Sequence, residues 1–515
     1  MRLEFDLLAA GSGYYHPIQP PAIRWRRKNL KPSRLTLLSL VLATGLSLSG
    51  CSTFRSYNSE MSEATTSMGS GRVDLALQRL EENNKGDDKE LLYFMEKGQL
   101  LQLKGDLPQS TTAWLGGDEM IRIWENEYKT DPNKLLGDFA SYLLNDNSRR
   151  YDGQDYEKVM LSTLLAVNHA AQGRLEDARV EIKKTHEREA LIADMRSKQI
   201  EKVEAEAQER DVKTEYKDLK GYPVETLDDP EVTGLKNSYQ SAVSHYLAGF
   251  VYEALGEPSL AAPGYRKAIE LRPNVKILED ALAQVDGRRK SIKPNETDVL
   301  FMLGVGNAPA KQSMNIPLPF RWNGQWNATS ISFPVIRPDS TLVLPNSLQL
   351  NGVGNVPLSS ITSIDAMSRR ALKDDMPGII LRSTIRAVAK GAATKEINDR
   401  AGAVAGLIAT VASVASERAD ERMWRSLPSQ LVIGRAILPQ GKYTLTIATP
   451  TGPQSSELVI GGKHAIIPLR TSGGALFLTQ PIVPEPVTIV ASEQPAPAPV
   501  TAPAKAASKN KKKKK

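Results

Sequence analysis

Apolar and polar positions alternate along this chain in two rhythms, and the change between them falls near residue 290. From about residue 56 to 285, apolar residues recur every three or four positions and glycines separate the periodic segments, which predicts helices throughout. One of these helices is expected to run from Leu175 through a charged segment (Glu187, Glu189, Lys198, Glu201, Lys202, Glu204, Glu206) to about residue 219, as a solvated extension or short coiled coil. After Lys293 the pattern shortens. Runs rich in Val, Ile, Leu and Thr predict strands over 298–305, 329–336, 341–350, 430–438, 442–449, 455–460 and 464–469. The last four lie close together, with Pro439-Gln440-Gly441 and Gly461-Gly462 between them, the pattern of an antiparallel meander or sandwich. The expected fold class is therefore multidomain α+β. A helical domain covers 51–290, and a mixed β-sandwich-like domain covers 291–475 with a helical insert over 360–423.

Within the helical part, residues 242–275 carry the clearest unit. His245, Ala248, Gly249, Tyr252, Gly256, Ala261, Tyr265, Ala268 and Pro273 fall at the spacing of a tetratricopeptide repeat, with His245 and Ala248 departing from the usual Trp and Leu. Each position has a packing reason: small residues let two helices approach, Tyr252 and Tyr265 fill the gaps beside them, Gly256 permits the turn and Pro273 stops the second helix. Weaker copies share the turn glycine. Gly71, Gly105 and Gly173 are 34 and 68 residues apart, one and two repeat lengths, with Ala76 and Ala178 following their glycines and Trp114 and Ile182 at the aromatic position. Stacked repeats form a superhelix with a concave face suited to a protein partner.

The helical insert holds two unusual segments. Residues 401–416 contain no charged side chain, and Gly402 and Gly406 are one turn apart, the spacing of closely packed helices. Sixteen residues fall short of the roughly 20 needed to span a bilayer, so the segment reads as a helix in the domain core or in a homo-oligomer interface. Upstream, Arg382, Arg386 and Lys390 recur every four residues, either as a solvated face or as a stripe that receives an anionic group.

Charge and cysteine content change the picture at the ends. The net charge of +7 comes from the termini: residues 1–50 carry +5, the last eleven residues carry seven lysines and no acid, and 51–504 carry −5. An acidic body argues against a nucleic-acid partner. The single cysteine, Cys51, excludes a disulfide framework. It follows Leu48-Ser49-Gly50 and an apolar run preceded by Arg24, Arg26, Arg27, Lys28, Lys31 and Arg34, the order of an export signal with its cleavage site. Residues 1–50 are thus expected to be a signal peptide, with the true start near residue 24. Arg26-Arg27 also resembles a twin-arginine signal. Residues 476–515 read as an unfolded Pro/Ala-rich linker ending in polylysine, able to meet peptidoglycan or lipopolysaccharide by charge.

Catalytic patterns are missing from the sequence. His16, His169, His186, His245 and His464 form no metal-ligand spacing, and neither a nucleophile elbow nor a phosphate loop nor a dinucleotide fingerprint is present. No enzymatic activity and no cofactor are expected.

Leu48-Ser49-Gly50-Cys51 resembles the lipobox of bacterial lipoproteins. Together with the run Tyr151-Asp152-Gly153-Gln154-Asp155-Tyr156-Glu157 and the run Ala419-Asp420-Glu421-Arg422-Met423-Trp424-Arg425-Ser426-Leu427-Pro428, it makes residues 51–470 resemble an uncharacterised family of bacterial lipoproteins with tetratricopeptide-like repeats. The resemblance implies acylation at Cys51, a lipid anchor in the outer membrane facing the periplasm, and an adaptor or scaffold role. Such a role would be set in cell-wall synthesis or an envelope-spanning machine. The alternatives are a structural subunit that self-assembles through 401–416 and a glycan-binding protein.

Overall fold

Four glycines with left-handed backbone organise the helical part. Gly71, Gly105, Gly173 and Gly256 have φ between 74° and 86°, and each ends a helix with the same pair of bonds. The glycine N–H donates to the carbonyl three residues back, and the next N–H donates to the carbonyl five residues back, as in Gly256 to Glu253 (3.0 Å) and Glu257 to Tyr252 (2.8 Å). Two residues later a second helix begins. The result is four antiparallel helix hairpins: α1 (Tyr57–Gly69) with α2 (Val73–Asn83), α3 (Leu91–Lys104) with α4 (Leu107–Thr130), α5 (Asp155–Ala171) with α6 (Leu175–Glu209), and α7 (Ala242–Ala254) with α8 (Pro258–Leu271). Pro108 and Pro258 sit in the first turns of α4 and α8, where a missing N–H costs nothing. A short helix α9 (Lys276–Ala283) follows.

The computed structural model describes residues 57–131, 150–285, 292–322, 325–401 and 418–481, with the backbone alone over 317–322, 325–330 and 388–401. The leader, Cys51, the 402–416 stretch, the Lys390 side chain and the polylysine end lie outside the described residues.

The strands of the described residues form three sheets. The largest has the order β11 (Ala475–Leu478), β10 (His464–Ser472), β1 (Glu296–Val305), β7 (Gln430–Pro439), β6 (Ser359–Ser363); β1 and β10 run parallel and the other pairs antiparallel. A four-stranded antiparallel sheet has the order β5 (Gly354–Pro357), β4 (Ser347–Leu350), β8 (Gly441–Thr449), β9 (Gly452–Ile460). These two sheets share an apolar layer including Val299, Phe301, Leu348, Leu445, Leu458 and Ile467. Among the described residues, β2 (Lys311–Trp322) and β3 (Gln325–Ile336) pair only with each other, as a separate ribbon.

The protein is thus mixed α+β, and the strand details differ from expectation. The meander of the last four strands is not formed: only β8 and β9 make a hairpin, while β7 and β10 flank β1. The strand expected over 341–350 is confined to Ser347–Leu350, and β2, β5, β6 and β11 had no clear sequence signal. The insert begins as strand β6 and becomes one helix, α10 (Ile364–Ala401); residues 418–429 are not helical. α6 stops at Glu209 rather than near 219, because Asp211 turns left-handed (φ 51°) and Val212 N–H caps Ala207.

Helices and sheet share one core. Its largest apolar cluster joins Leu92, Trp114, Tyr156, Tyr246 and Tyr265 of the hairpins to Leu300, Ile433 and Ile466 of the five-stranded sheet. The first helix of every hairpin touches that sheet: α1 and α5 meet β10, α3 meets β11 and α7 meets β6. The inner face of the superhelix is therefore turned toward the chain's own strands.

Candidate functional site

Between the first helices and the sheet runs an irregular segment, residues 423–427, which turns at Arg425 and Ser426 and is held by its backbone. Two carboxylates do the holding, one from each of two neighbouring hairpins. Glu157 of α5 accepts the Trp424 N–H (Oε1, 2.7 Å), and Glu96 of α3 accepts the Arg425 N–H (Oε1, 2.6 Å) and the Ser426 N–H (Oε2, 3.1 Å). Three consecutive N–H groups thus point to two acids. On the far side the Ala308 N–H donates to Leu427 O (2.7 Å), Arg425 Nη1 donates to Ala308 O, and Arg470 Nη2 donates to Ser426 O (2.9 Å).

The acids are positioned by their helices. Glu157 is the third residue of α5, where its carboxylate also accepts the Gln154 N–H (3.0 Å) and closes the helix start. Tyr151 Oη and Tyr156 Oη donate to the same carboxylate at 2.5 and 3.3 Å. Glu96 takes a further bond from Tyr57 Oη of α1 (2.8 Å), so hairpins one, two and three all contribute. Burial pushes both carboxyl groups above the usual range, against the pull of these donors. Burial likewise lowers Arg425 and brings Arg470 down to about 9.

Side chains of the segment complete the contact. Trp424 is fully buried, edge-on to Trp114 with ring centroids 6.0 Å apart, and its Nε1 donates to Ser426 Oγ (3.1 Å). Met423 and Leu427 are buried in the same cluster. A partner in the repeat groove was expected from the sequence; over these three hairpins the groove holds the chain's own segment.

The residues singled out from the repeat unit lie in the fourth hairpin. Ala261, Tyr265 and Ala268 are fully buried, Tyr252 is nearly so, Gly256 makes the left-handed turn and Pro273 follows the end of α8. Gly249 admits the Tyr265 ring, which a Cβ there would meet at 2.5 Å. Gly264, which the spacing did not flag, lets α8 approach α7 until a Cβ would lie 2.7 Å from His245 O. Of the basic stripe, Arg386 is 4% exposed and donates to Ser383 Oγ, and Arg382 is half-buried over Gly378. Among the described residues, no group of three or more His, Cys, Asp or Glu is arranged to hold a metal ion, and no helix is long and apolar enough to cross a membrane.

Glu96 was missed from sequence because nothing local marks it: its partners lie 39, 329 and 330 residues away. The runs 151–157 and 419–428, noted separately, meet at the bond between Trp424 and Glu157.

No protein family matches this sequence, and no curated protein matches it. Among solved structures, a tetratricopeptide repeat protein from Parabacteroides merdae aligns over 45% of this chain and 99% of its own, at 13% identity and a TM-score of 0.13. The repeat character of the chain rests on its four hairpins themselves.

Proposed function

We propose that the chain is a non-enzymatic adaptor of a bacterial envelope, exported, cleaved before Cys51 and acylated there, with its helical hairpins serving protein–protein contact at the periplasmic face of the outer membrane. The clamp carries this reading. First helices that hold an irregular segment by its backbone N–H groups are a scaffold of the kind that binds peptides. Because the inner face is engaged internally, the partner surface is assigned to the second helices, where Ile123, Val180 and Leu260 are exposed. The polylysine end adds contact with anionic polymers such as peptidoglycan or lipopolysaccharide, and the cell-wall or envelope-spanning setting follows from the class of protein alone.

Two experiments test it. A Cys51→Ala variant should leave the outer-membrane fraction; if it still fractionates there, the anchor is wrong. Photo-crosslinking residues placed at 123, 180 and 260 in intact cells should each capture a discrete protein, and the absence of an adduct at all three would count against the adaptor role.

A further inference from the structure

Where the repeat pattern calls for Trp, α7 carries His245. A planar ring is kept and a titratable group is added. His245 is 5% exposed, at the contact between hairpins three and four, and its ring stacks on that of His186 of α6 with centroids 5.1 Å apart and planes 11° apart. His186 itself lies at the surface.

One carboxylate serves both rings. Glu189, a turn beyond His186 on α6, is 4% exposed and places Oε2 3.2 Å from His245 Nε2. Gln240, just before α7, donates Nε2 to the same oxygen (3.1 Å), and Asn237 Oδ1 accepts the Gln240 N–H (2.8 Å). The cluster thus ties α6 both to α7 and to the turn that leads into it. The charges acting on His186 are those of His245 and Glu189, and Glu189 also acts on Tyr239. α5 meets this turn of α7 with Met160 and Thr163, and α8 meets it with the backbone of Gly264, all uncharged.

Two bases over one acid set the charge balance. A single proton on the pair makes an imidazolium that Glu189 offsets. A second leaves one positive charge without a partner, and like charges on stacked rings repel. The His186 face covered by His245 loses solvent, and this, followed by the charge of His245, holds His186 below its ordinary value of 6.5, while Glu189 pulls the other way. A base whose folded pKa lies below its unfolded one contributes stability that is complete above about pH 6.5 and is drawn down as pH falls toward the folded value.

We infer that the contact between hairpins three and four is a proton-sensitive joint, closed at neutral pH and loosened in mild acid when His186 and His245 are both protonated over Glu189. Histidine in the Trp position is then a device for sensing pH rather than a packing defect. This inference stands apart from the adaptor reading, since neither the anchor nor the partner surface enters it.

Hydrogen exchange of the full chain tests it, read by mass spectrometry at about pH 7 and pH 5.5 and corrected for the intrinsic effect of pH on exchange. Peptides covering 180–195 and 240–254 should lose protection by about tenfold at the lower pH, while those covering α3 and α4 stay within about twofold. His186→Gln replaces a surface side chain and leaves one imidazole over Glu189, so its joint should keep the same protection at both pH values. Unchanged protection in the parent, or an equal loss in His186→Gln, would overturn the inference. Titration of the histidine Cε1–H signals gives a second readout. The His186 midpoint, identified by its absence in His186→Gln, should rise by about half a unit or more in His245→Gln and fall in Glu189→Gln. A midpoint that moves in neither variant would overturn the inference as well.

Discussion

A Cβ placed on Gly98 of α3 would lie 2.2 Å from the ring of Trp114 on α4. The pair belongs to a rule that runs through all four hairpins. Seven residues before each turn glycine stands a small residue, and nine residues after it a large buried one: Ala64 with Leu80, Gly98 with Trp114, Ala166 with Ile182, Gly249 with Tyr265. Where the large residue is aliphatic the small one is alanine, and where it is aromatic the small one is glycine. The volume of each pair sets how closely the two helices approach.

Gly98→Ala is accordingly expected to destabilise the protein by about 1–3 kcal/mol through overpacking, although alanine is the better helix former by about 1 kcal/mol. Trp114→Leu alone should also be costly, because it leaves a cavity. Combined, the two substitutions rebuild the Ala64–Leu80 pairing, so their effects should fall short of the sum by at least 1 kcal/mol. Urea unfolding of the four proteins in the cycle measures this; simple additivity would mean that the pair is not coupled.

The clamp should be the most sensitive polar site in the molecule. Glu96→Ala removes the acceptor for two backbone N–H groups and the Tyr57 hydroxyl, and each unpaired buried donor costs about 1–3 kcal/mol. A loss of roughly 3–5 kcal/mol is expected, with Glu96→Gln losing less because it retains an acceptor oxygen. Exposure of Trp424 should accompany it, seen as a red shift in fluorescence that Trp424→Phe removes. An unfolding midpoint for Glu96→Ala within experimental error of the parent would show that the segment is held by its apolar side chains alone.

The hairpins were legible because their determinants are local. A turn glycine with positive φ and a small residue five positions on (Ala76, Ala178, Ala261) are encoded within a few residues of each other. The clamp was not, since Trp424 reaches Glu157 across 267 residues and its surroundings give no hint of that partner. β2 escaped because Pro317 and Pro319 interrupt its strand pattern. In a two-stranded ribbon one edge has no partner, and two prolines of the same parity can leave their missing N–H on that edge. The sheet order failed for a similar reason: β1 and β10 pair in parallel from positions more than 160 residues apart, and chain proximity says nothing of that.

Acid should weaken the junction between α7 and the five-stranded sheet. Burial raises the Asp298 carboxyl, but hydrogen bonds from Arg435 (2.6 and 2.9 Å), with His464 Nδ1 beside it at 3.7 Å, outweigh it and hold the group at about 2. Because the folded value lies below the unfolded one of 3.8, the stabilisation is present above about pH 4 and is lost as pH falls through 2. The shift corresponds to roughly 2 kcal/mol. Urea midpoints measured from pH 5 to 2 should fall steeply for the parent protein and less steeply for Asp298→Asn, which starts lower because Arg435 keeps only Glu253 as a charged partner at 2.7 Å. Parallel curves would mean that another acid dominates.

Alkali tests the same region from the opposite side. Burial lifts the Tyr246 hydroxyl to about 12, and the charge of Arg435 only partly offsets it. A phenol whose folded pKa lies above its unfolded value of 10 binds its proton more tightly when folded, so its contribution is complete below pH 10 and disappears as pH rises through 12. Tyr246→Phe cannot ionise. It should therefore hold its thermal midpoint between pH 10 and 11.5 better than the parent does, by an amount equivalent to about 1–2 kcal/mol. If the midpoint of Tyr246→Phe falls as steeply as that of the parent over this range, the hydroxyl is not titrating as its surroundings require.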